Sequence, residues 1–282
     1  MPAVSVIVPH FEDLVNLGLC LDALDTQSFR DFEVVVADNA SPSGKAAVET
    51  VIAGRATLVI ASERGAGAAR NAGVAAARGA ILACTDADCV PAPDWLAAGV
   101  AALTQADLIG GAMRVSFADE AAPTPVEAFE RVFAFDNRAY VEDKGFSVTA
   151  NLFTRRDVFD AVGGFRAHVS EDADWCLRAR DAGYRIAYAA DAVVAHPARR
   201  TWEQLTRKWE RLVRESAALH TARGRGAAGW RLRTMLLPLS AVAHLPKVLG
   251  SSKLPRIGDR IAAAGVLFRL RLWRFAKARR LA

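Results

Sequence analysis

Cysteine is scarce in this sequence, and the four residues present form no Cys-x-x-Cys pair and no zinc-type spacing with histidine. Buried or incidental free thiols are therefore expected, which fits a reducing cytosol. The N-terminus enters a strand pattern at residues 4–8 without the charged region and long apolar core of a signal peptide. No uncharged apolar run reaches the roughly 18 residues of a spanning helix, and no internal repeat is visible.

Acidic residues are almost missing from the end of the chain. Residues 199–282 contain 20 Lys and Arg against 4 Asp and Glu, a net charge of +16, whereas residues 1–198 have a net charge of −11. Such polarisation predicts two parts with different roles, a domain at 1–198 and a basic region at 199–282. An apolar content of 52% supports a substantial core and argues against disorder.

Short apolar runs that alternate with helical patterns predict an α/β fold. Strands are expected at residues 4–8, 32–37, 57–60 and 80–84, and polar residues follow each of them. This alternation favours a mainly parallel sheet, so the strand ends would form one ligand-binding edge. Later patterns predict helices at 123–140 and 174–182 and strands at 146–153, 185–188 and 192–195.

Asp86-Ala87-Asp88 directly follows the apolar run at residues 80–84. Residues two apart can share one face at a strand end, so both carboxylates could bind one hard cation that also carries substrate phosphates. Taken alone, the motif favours a solvated turn, because aspartate is common there. The motifs that follow along the chain favour the metal-binding interpretation instead.

Several further motifs accompany this one in a fixed order. They are residues 4–12 (VSVIVPHFE), 34–41 (VVVADNAS), 64–73 (RGAGAARNAG), 170–178 (SEDADWCLR), 183–185 (GYR) and His196. Together they resemble the family 2 glycosyltransferases over about residues 4–198. The resemblance implies a GT-A-like (Rossmann-like) fold, with a mainly parallel sheet flanked by helices, and inverting transfer of a sugar from a nucleotide donor.

The resemblance also assigns the metal and the base. It implies that Asp88 ligates Mn²⁺ or Mg²⁺, with Asp86 closer to the ribose or to a metal-bound water. His196 is an additional candidate ligand, although a lone histidine beside proline is more often structural. Asp172 matches the family base, which takes the proton from the acceptor hydroxyl. Its alternative is a helix N-cap, and Asp174 is the reserve candidate.

The nucleotide-sugar side of the site has structural alternatives as well. Phe11 can stack on the base or cap the core, and Asp38 can bind the base or ribose or close an Asx turn. Arg70 can bind the base or the diphosphate, or it can form a structural ion pair. Trp175 can form a wall of the site or belong to the core. The full set implied for the nucleotide sugar is Pro9, Phe11, Glu12, Asp38, Arg70, Asp86, Asn151, Glu171 and Trp175.

The basic region predicts an amphipathic helical tail. Apolar residues recur at helical spacing from Trp202 to Leu219 with Arg and Lys between them, and residues 257–281 mix apolar clusters with seven basic residues. Basic amphipathic helices lie in the headgroup plane of anionic membranes. Nucleic-acid binding and simple packing on the domain are the alternatives, and nucleic acid is not the expected partner.

The sequence thus predicts a metal-dependent inverting glycosyltransferase. Its expected partners are a nucleotide sugar, with uridine implied by the resemblance, a carbohydrate or lipid-linked acceptor, and an anionic membrane surface. The expected location is the cytoplasm, at the inner face of the cell membrane. A non-catalytic membrane-associated nucleotide-binding module is the alternative. A sugar nucleotidyltransferase is less favoured, since residues 10–17 lack the glycine-rich loop that holds a triphosphate.

Overall fold

The structure is a computed structural model that describes residues 1–167 and 169–281. Its strands form one sheet in the order β3-β2-β1-β4-β7-β6-β8-β5. Their bounds are β1 Val4–His10, β2 Phe32–Asp38, β3 Thr57–Ile60, β4 Ile81–Cys84, β5 Val90–Pro91, β6 Leu108–Ser116, β7 Leu152–Arg155 and β8 Ile186–Pro197. The chain separates into two compact units, and the sheet lies almost entirely in the first, which comprises residues 1–114, 135–167 and 171–196.

The first four strands are parallel, as the alternating pattern predicts. β1 pairs with β2 from Val4↔Phe32 to His10↔Asp38, and on its other side it pairs with β4, where Ile7 lies opposite Cys84. β1 is buried along almost its whole length. Val6 and Val8 contribute to one apolar cluster and Ile7 to another, because successive side chains point to opposite faces. Helices cover both faces, as parallel sheets require.

The other strands join with antiparallel pairings. β7 pairs with β4 and with β6, and β5 pairs with β8 through Val90↔Ala195. The predicted strand at 146–153 is instead a 3-10 turn, Thr149–Asn151, followed by β7. The two short strands predicted at 185–188 and 192–195 form the single strand β8. Because β5 directly follows the Asp86-Ala87-Asp88 motif, its pairing with β8 places the end of β8 beside that motif.

The helices of the first unit connect these strands. They are α1 Leu14–Asp25, α2 Lys45–Ile52, α3 Ala66–Ala76, α4 Trp95–Ala102, α6 Asn137–Ala139, α7 Arg156–Val162 and α8 Glu171–Asp181, with a π-helical turn at Tyr140–Lys144. α3 begins at Gly65, whose φ of 128° is left-handed backbone that favours glycine. The predicted helix at 123–140 is interrupted, because it ends at Phe133 and Phe135 adopts a φ of 50°.

The second unit consists mainly of helices and includes residues 115–134 and 197–281. Its helices are α5 Pro125–Phe133, α9 Trp202–Ala222, α10 Ala227–Met235, α11 Leu237–Leu249 and α12 Ile257–Ala278. Buried residues of α5, α9, α11 and α12 form one apolar cluster. Within residues 1–167 and 169–281, no helix combines the length and the apolar content that crossing a membrane requires. A domain boundary at residue 198 remains a prediction.

Candidate active site

Strand register brings the predicted carboxylate positions to one edge of the sheet. His10 and Asp38 end β1 and β2 and lie directly opposite each other. Asp86 and Asp88 follow β4, which pairs with β1 on the other side. The expectation that these strand ends meet is therefore confirmed by the sheet topology.

Asp38 is buried and fully engaged. Its Oδ1 lies 2.8 Å from Nδ1 of His10 and accepts a hydrogen bond from the Ser41 hydroxyl at 2.6 Å, while Oδ2 accepts from the Ser41 backbone N–H. His10 Nε2 accepts from the Asp13 backbone N–H, so Nδ1 carries the proton and donates to Asp38. Burial acts to raise the pKa of Asp38, but the bonds from Ser41 and His10 outweigh it and hold the pKa below its usual value.

The loop after β1 presents one exposed aromatic ring. Phe11 is 50% exposed, whereas Pro9 is half-buried within the strand. Glu12 adopts a φ of 55°, donates its backbone N–H to Ser41 and accepts from the backbone N–H of Ser43 through Oε1. The loop is thus fixed by hydrogen bonds while the Phe11 face stays open to a ligand.

Arg70 lies in α3 and joins two of the predicted acidic residues. Its Nη2 donates to Asp86 at 2.6 Å, its Nη1 donates to Glu171 at 3.1 Å, and its side chain is only 3% exposed. Burial would lower the pKa of Arg70, but the two carboxylates raise it above its usual value, so the guanidinium stays charged. A methyl group added at Gly67, one turn earlier, would lie 3.2 Å from the Cβ of Phe165, a tight contact. Arg70 therefore clamps the end of β4 to the start of α8.

Asp88 and His196 come together, and Cys89 joins them. Asp88 Oδ2 lies 3.3 Å from His196 Nε2, and ligand atoms of Asp88, Cys89 and His196 all lie within 4.8 Å of one another. The Phe135 ring packs on the imidazole with centroids 4.5 Å apart. A carboxylate oxygen and an imidazole nitrogen suit Mn²⁺, Mg²⁺ or other divalent ions. The donor set therefore fits a metal.

Sequence reasoning missed Cys89 as part of this group and treated it as an incidental thiol. The available signal was its position next to Asp88 just before a strand. Burial raises the pKa of the Cys89 thiol well above its usual value, and the charges of Asp86 and Asp88 add to the effect. The thiol is therefore protonated in the absence of a metal, which leaves Asp88 and His196 as the stronger ligands.

α8 begins with the predicted base. Glu171 and Asp172 are half-buried, and Asp172 Oδ1 accepts from the backbone N–H of Ala173 at 2.7 Å. Burial, followed by the charges of Asp136 and Asp172, raises the pKa of Tyr140. The tyrosine hydroxyl thus remains protonated beside these two carboxylates, where it can serve as a donor.

Three of the singled-out side chains are not brought to this edge. Trp175 is 0% exposed, packs on Phe159 and donates its indole N–H to a backbone carbonyl. Asn151 is also 0% exposed, accepts from the indole of Trp95 and donates to two backbone carbonyls. Asp174 is buried and pairs with Arg178 at 2.9 Å. Each contributes to the core around the site, with no free face for substrate in this arrangement.

Comparisons with known proteins agree with this geometry. The family model described as glycosyl transferase family 2 matches residues 5–167. The chain is 35% identical over 222 residues to glycosyltransferase AglE of Haloferax volcanii, covering 74% of this chain and 71% of that protein. It is 29% identical over 98 residues to the putative glycosyltransferase EpsH of Bacillus subtilis, covering 34% of this chain and 27% of that protein.

Solved structures show the same fold. One is the mannosyltransferase PcManGT of Pyrobaculum calidifontis in complex with GDP-Man and Mn²⁺, with a TM-score of 0.64, 22% identity, and coverage of 99% of this chain and 85% of that one. Another is TarS of S. aureus, with a TM-score of 0.53, 16% identity, and coverage of 97% and 53%. The chain belongs to glycosyl transferase family 2 and is a glycosyltransferase with the GT-A fold.

Proposed function

We propose that this protein transfers a sugar from a nucleotide sugar to an acceptor hydroxyl, with inversion and with a divalent metal. The observation that carries the proposal is the pair of networks at one sheet edge, Arg70 with Asp86 and Glu171, and Asp88 with His196. The first fixes two acidic segments relative to each other, and the second offers ligand atoms to a cation. A GT-A relative solved with GDP-Man and Mn²⁺ supports both parts of the proposal.

Asp88 and His196 would hold the metal, which is Mn²⁺ or Mg²⁺. When bound, it neutralises the developing charge on the leaving diphosphate, so no second protein acid is required. Arg70 holds Asp86 at the same edge, and we assign Asp86 to the ribose side of a donor. UDP is the proposed nucleotide, and GDP is its first rival because the mannosyltransferase relative was solved with GDP-Man.

The remaining roles fall to this chain's own side chains. Asp172 accepts the proton of the acceptor hydroxyl, while the start of α8 that carries it is fixed by the bond between Glu171 and Arg70. Phe11 provides the exposed ring on which a base can stack. Asp38 acts on the base or ribose through the loop that it fixes by its bonds to Ser41.

Calorimetric titration with UDP, GDP and dTDP, each with and without Mn²⁺, tests the donor site. Binding of one diphosphate that requires the metal and is lost in Asp88→Ala is expected. Absence of metal-linked binding of any of the three would favour the alternative, a non-catalytic nucleotide-binding module. Slow hydrolysis of the donor with metal separates an enzyme from such a module, which should show none.

The base has its own test. Asp172→Asn keeps the shape of the side chain and the acceptor for the Ala173 backbone N–H but removes the basic carboxylate. We expect transfer to fall at least 10³-fold, within the roughly 10²–10⁴-fold range of general-base catalysis, while nucleotide binding changes less than about twofold. Loss of nucleotide binding in this variant would instead assign Asp172 to the donor site or to the fold.

We further propose peripheral attachment of the second unit to an anionic membrane, with a lipid-linked or membrane-proximal acceptor. One face of α12 is packed in the core of that unit, while the opposite face leaves apolar residues exposed. These are Ile257, Ile261, Phe268 and Leu272. The charge of +16 over residues 199–282 complements anionic headgroups. Flotation of the full chain with phosphatidylglycerol vesicles at low salt is expected, and Ile261→Glu with Leu272→Glu should abolish it.

A further inference from the structure

A stacked pair of side chains in the second unit has donors without acceptors. The guanidinium of Arg274, on α12, lies 3.8 Å above the ring of Trp209, on α9. The Nε of Arg274 and the Nε1 of Trp209 are both buried and have no hydrogen-bond partner within the described chain. Both groups only donate, so neither can satisfy the other.

Unpartnered buried donors are rare, because each has lost its hydrogen bond to water without gaining another, which costs free energy. The buried carboxylate of Glu130, in the same unit, is paired. Glu130 accepts from Lys208 at 3.0 Å and from Arg199 at 3.4 Å. Arg274 has no such carboxylate within ion-pair distance among residues 1–167 and 169–281.

More positive charge surrounds this pair. Arg271, one turn earlier on α12, and Arg233, on α10, are close enough to act on Arg274. Burial, followed by the charges of Arg271 and Arg233, lowers the pKa of Arg274 to about 9. Burial also lowers the pKa of Arg271. Neither Arg233 nor Arg271 forms an ion pair with a carboxylate in the described part of the chain.

We propose that Trp209, Arg271 and Arg274, with Arg233 beside them, form a binding site for a phosphate group. A phosphate monoester offers several acceptor oxygens and two negative charges, which match two unsatisfied N–H groups and clustered guanidinium charges. Its residues all belong to the second unit, whereas the residues of the proposed donor site belong to the first. It therefore stands whether or not the proposed transfer reaction is correct.

Two sources supply this chemistry, a lipid phosphate headgroup and a soluble phosphate, and the experiment separates them. The full-length chain is titrated calorimetrically with inorganic phosphate and with dihexanoyl phosphatidate below its micelle concentration. Sedimentation with phosphatidylcholine vesicles that contain phosphatidate gives a third measurement. Binding of inorganic phosphate and the short-chain lipid alike assigns a soluble anion, and binding of the lipid forms alone assigns a headgroup.

The decisive variant is Trp209→Phe, which removes the indole N–H and keeps a ring beneath Arg274. We expect affinity to fall about tenfold, since a hydrogen bond to a charged group contributes at least the free energy of one decade. Arg274→Lys keeps the charge, loses the Nε donor and should fall by at least the same factor. The matched controls are Trp273→Phe, on α12 beside Arg274, and Arg225→Lys, at an exposed arginine. The affinity of both should stay within about twofold of that of the wild-type protein.

Stability without ligand gives a second measurement. Because the Trp209 N–H has no partner, Trp209→Phe loses no internal hydrogen bond, so any decrease in the melting temperature of the ligand-free protein should come from the smaller ring alone and match that of Trp273→Phe. The proposal is overturned if none of the three probes binds, or if the control variants weaken binding as much as Trp209→Phe does. The latter result would show that general positive charge attracts the anion.

Discussion

The clamp formed by Arg70 makes a quantitative prediction about how the site is held together. Arg70→Met preserves most of the length of the side chain and removes its bonds to Asp86 and Glu171. Hydrogen bonds between charged groups contribute about 1.5–3 kcal/mol each, so the two together provide roughly 3–6 kcal/mol. Part of this is offset, because the wild-type protein buries a guanidinium whose Nε has no partner, at a cost of roughly 1–3 kcal/mol.

Relaxation of the two carboxylates further limits the loss. The Asp86 and Glu171 side chains are 30% and 18% exposed, so both regain some hydration once Arg70 is removed. We therefore expect Arg70→Met to lower the free energy of unfolding by about 2–3 kcal/mol, below the 3–5 kcal/mol typical of breaking a fully buried pair. In a thermal melt this corresponds to a decrease of about 5–10 °C.

The matched control is Lys45→Met, which breaks a lysine–carboxylate pair at the surface. Lys45 and Glu49 are 64% and 53% exposed, and Lys45 Nζ lies 3.3 Å from Glu49 Oε1. An exposed pair of this kind contributes about 0–1 kcal/mol, so the melting temperature should change by less than about 4 °C. Arg70→Met should also weaken metal-linked nucleotide binding at least tenfold. An unchanged melting temperature and unchanged binding in Arg70→Met would refute the argument that this residue holds the edge together.

Two further predictions concern the framework of the sheet. The pKa of Asp38 is lowered in the folded state, so this carboxylate stabilises the protein fully above the usual aspartate pKa and less as the pH falls through its folded-state pKa. Asp38→Asn should therefore make the free energy of unfolding less dependent on pH at the acid end. Urea unfolding between pH 3 and 7 would detect this change. Gly99→Ala should destabilise the protein by about 1–3 kcal/mol, because the new Cβ would overlap the Phe153 ring. Gly265→Ala, at an open position of α12, should instead stabilise the protein by roughly 0.5–1 kcal/mol. Equal unfolding midpoints for the two variants would contradict this packing.

The sheet edge could be predicted from the sequence because its signal is local. Each parallel strand is a short apolar run, and a polar residue directly after it must lie at the edge where the strands end. Asp38 and Asp86 follow this rule, and register then places His10 opposite Asp38. The right-handed crossover between consecutive strands then gives the direction in which they pair.

Other elements could not be predicted because distant contacts determine them. Asparagine is a residue type that often binds ligands, but the Asn151 amide is hydrogen-bonded in the core to Trp95 and to two strand carbonyls. Trp175 fills a cluster with Phe159 and Phe165, which no spacing in the sequence indicates. β8 continues through the exposed Asp191, where the apolar pattern lapses, because pairing with neighbouring strands overrides local preference.

The two aspartates of the Asp86-Ala87-Asp88 motif belong to different networks. Asp86 is bound to Arg70, and through it to the helix that carries Asp172. Asp88 lies against His196, which reaches it because β5 pairs with β8. One residue between them therefore lets a single strand end contribute to two networks, one with a guanidinium and one with an imidazole. This arrangement supports the proposal that Asp88 binds the metal while Asp86, through Arg70, positions the acidic segment of α8.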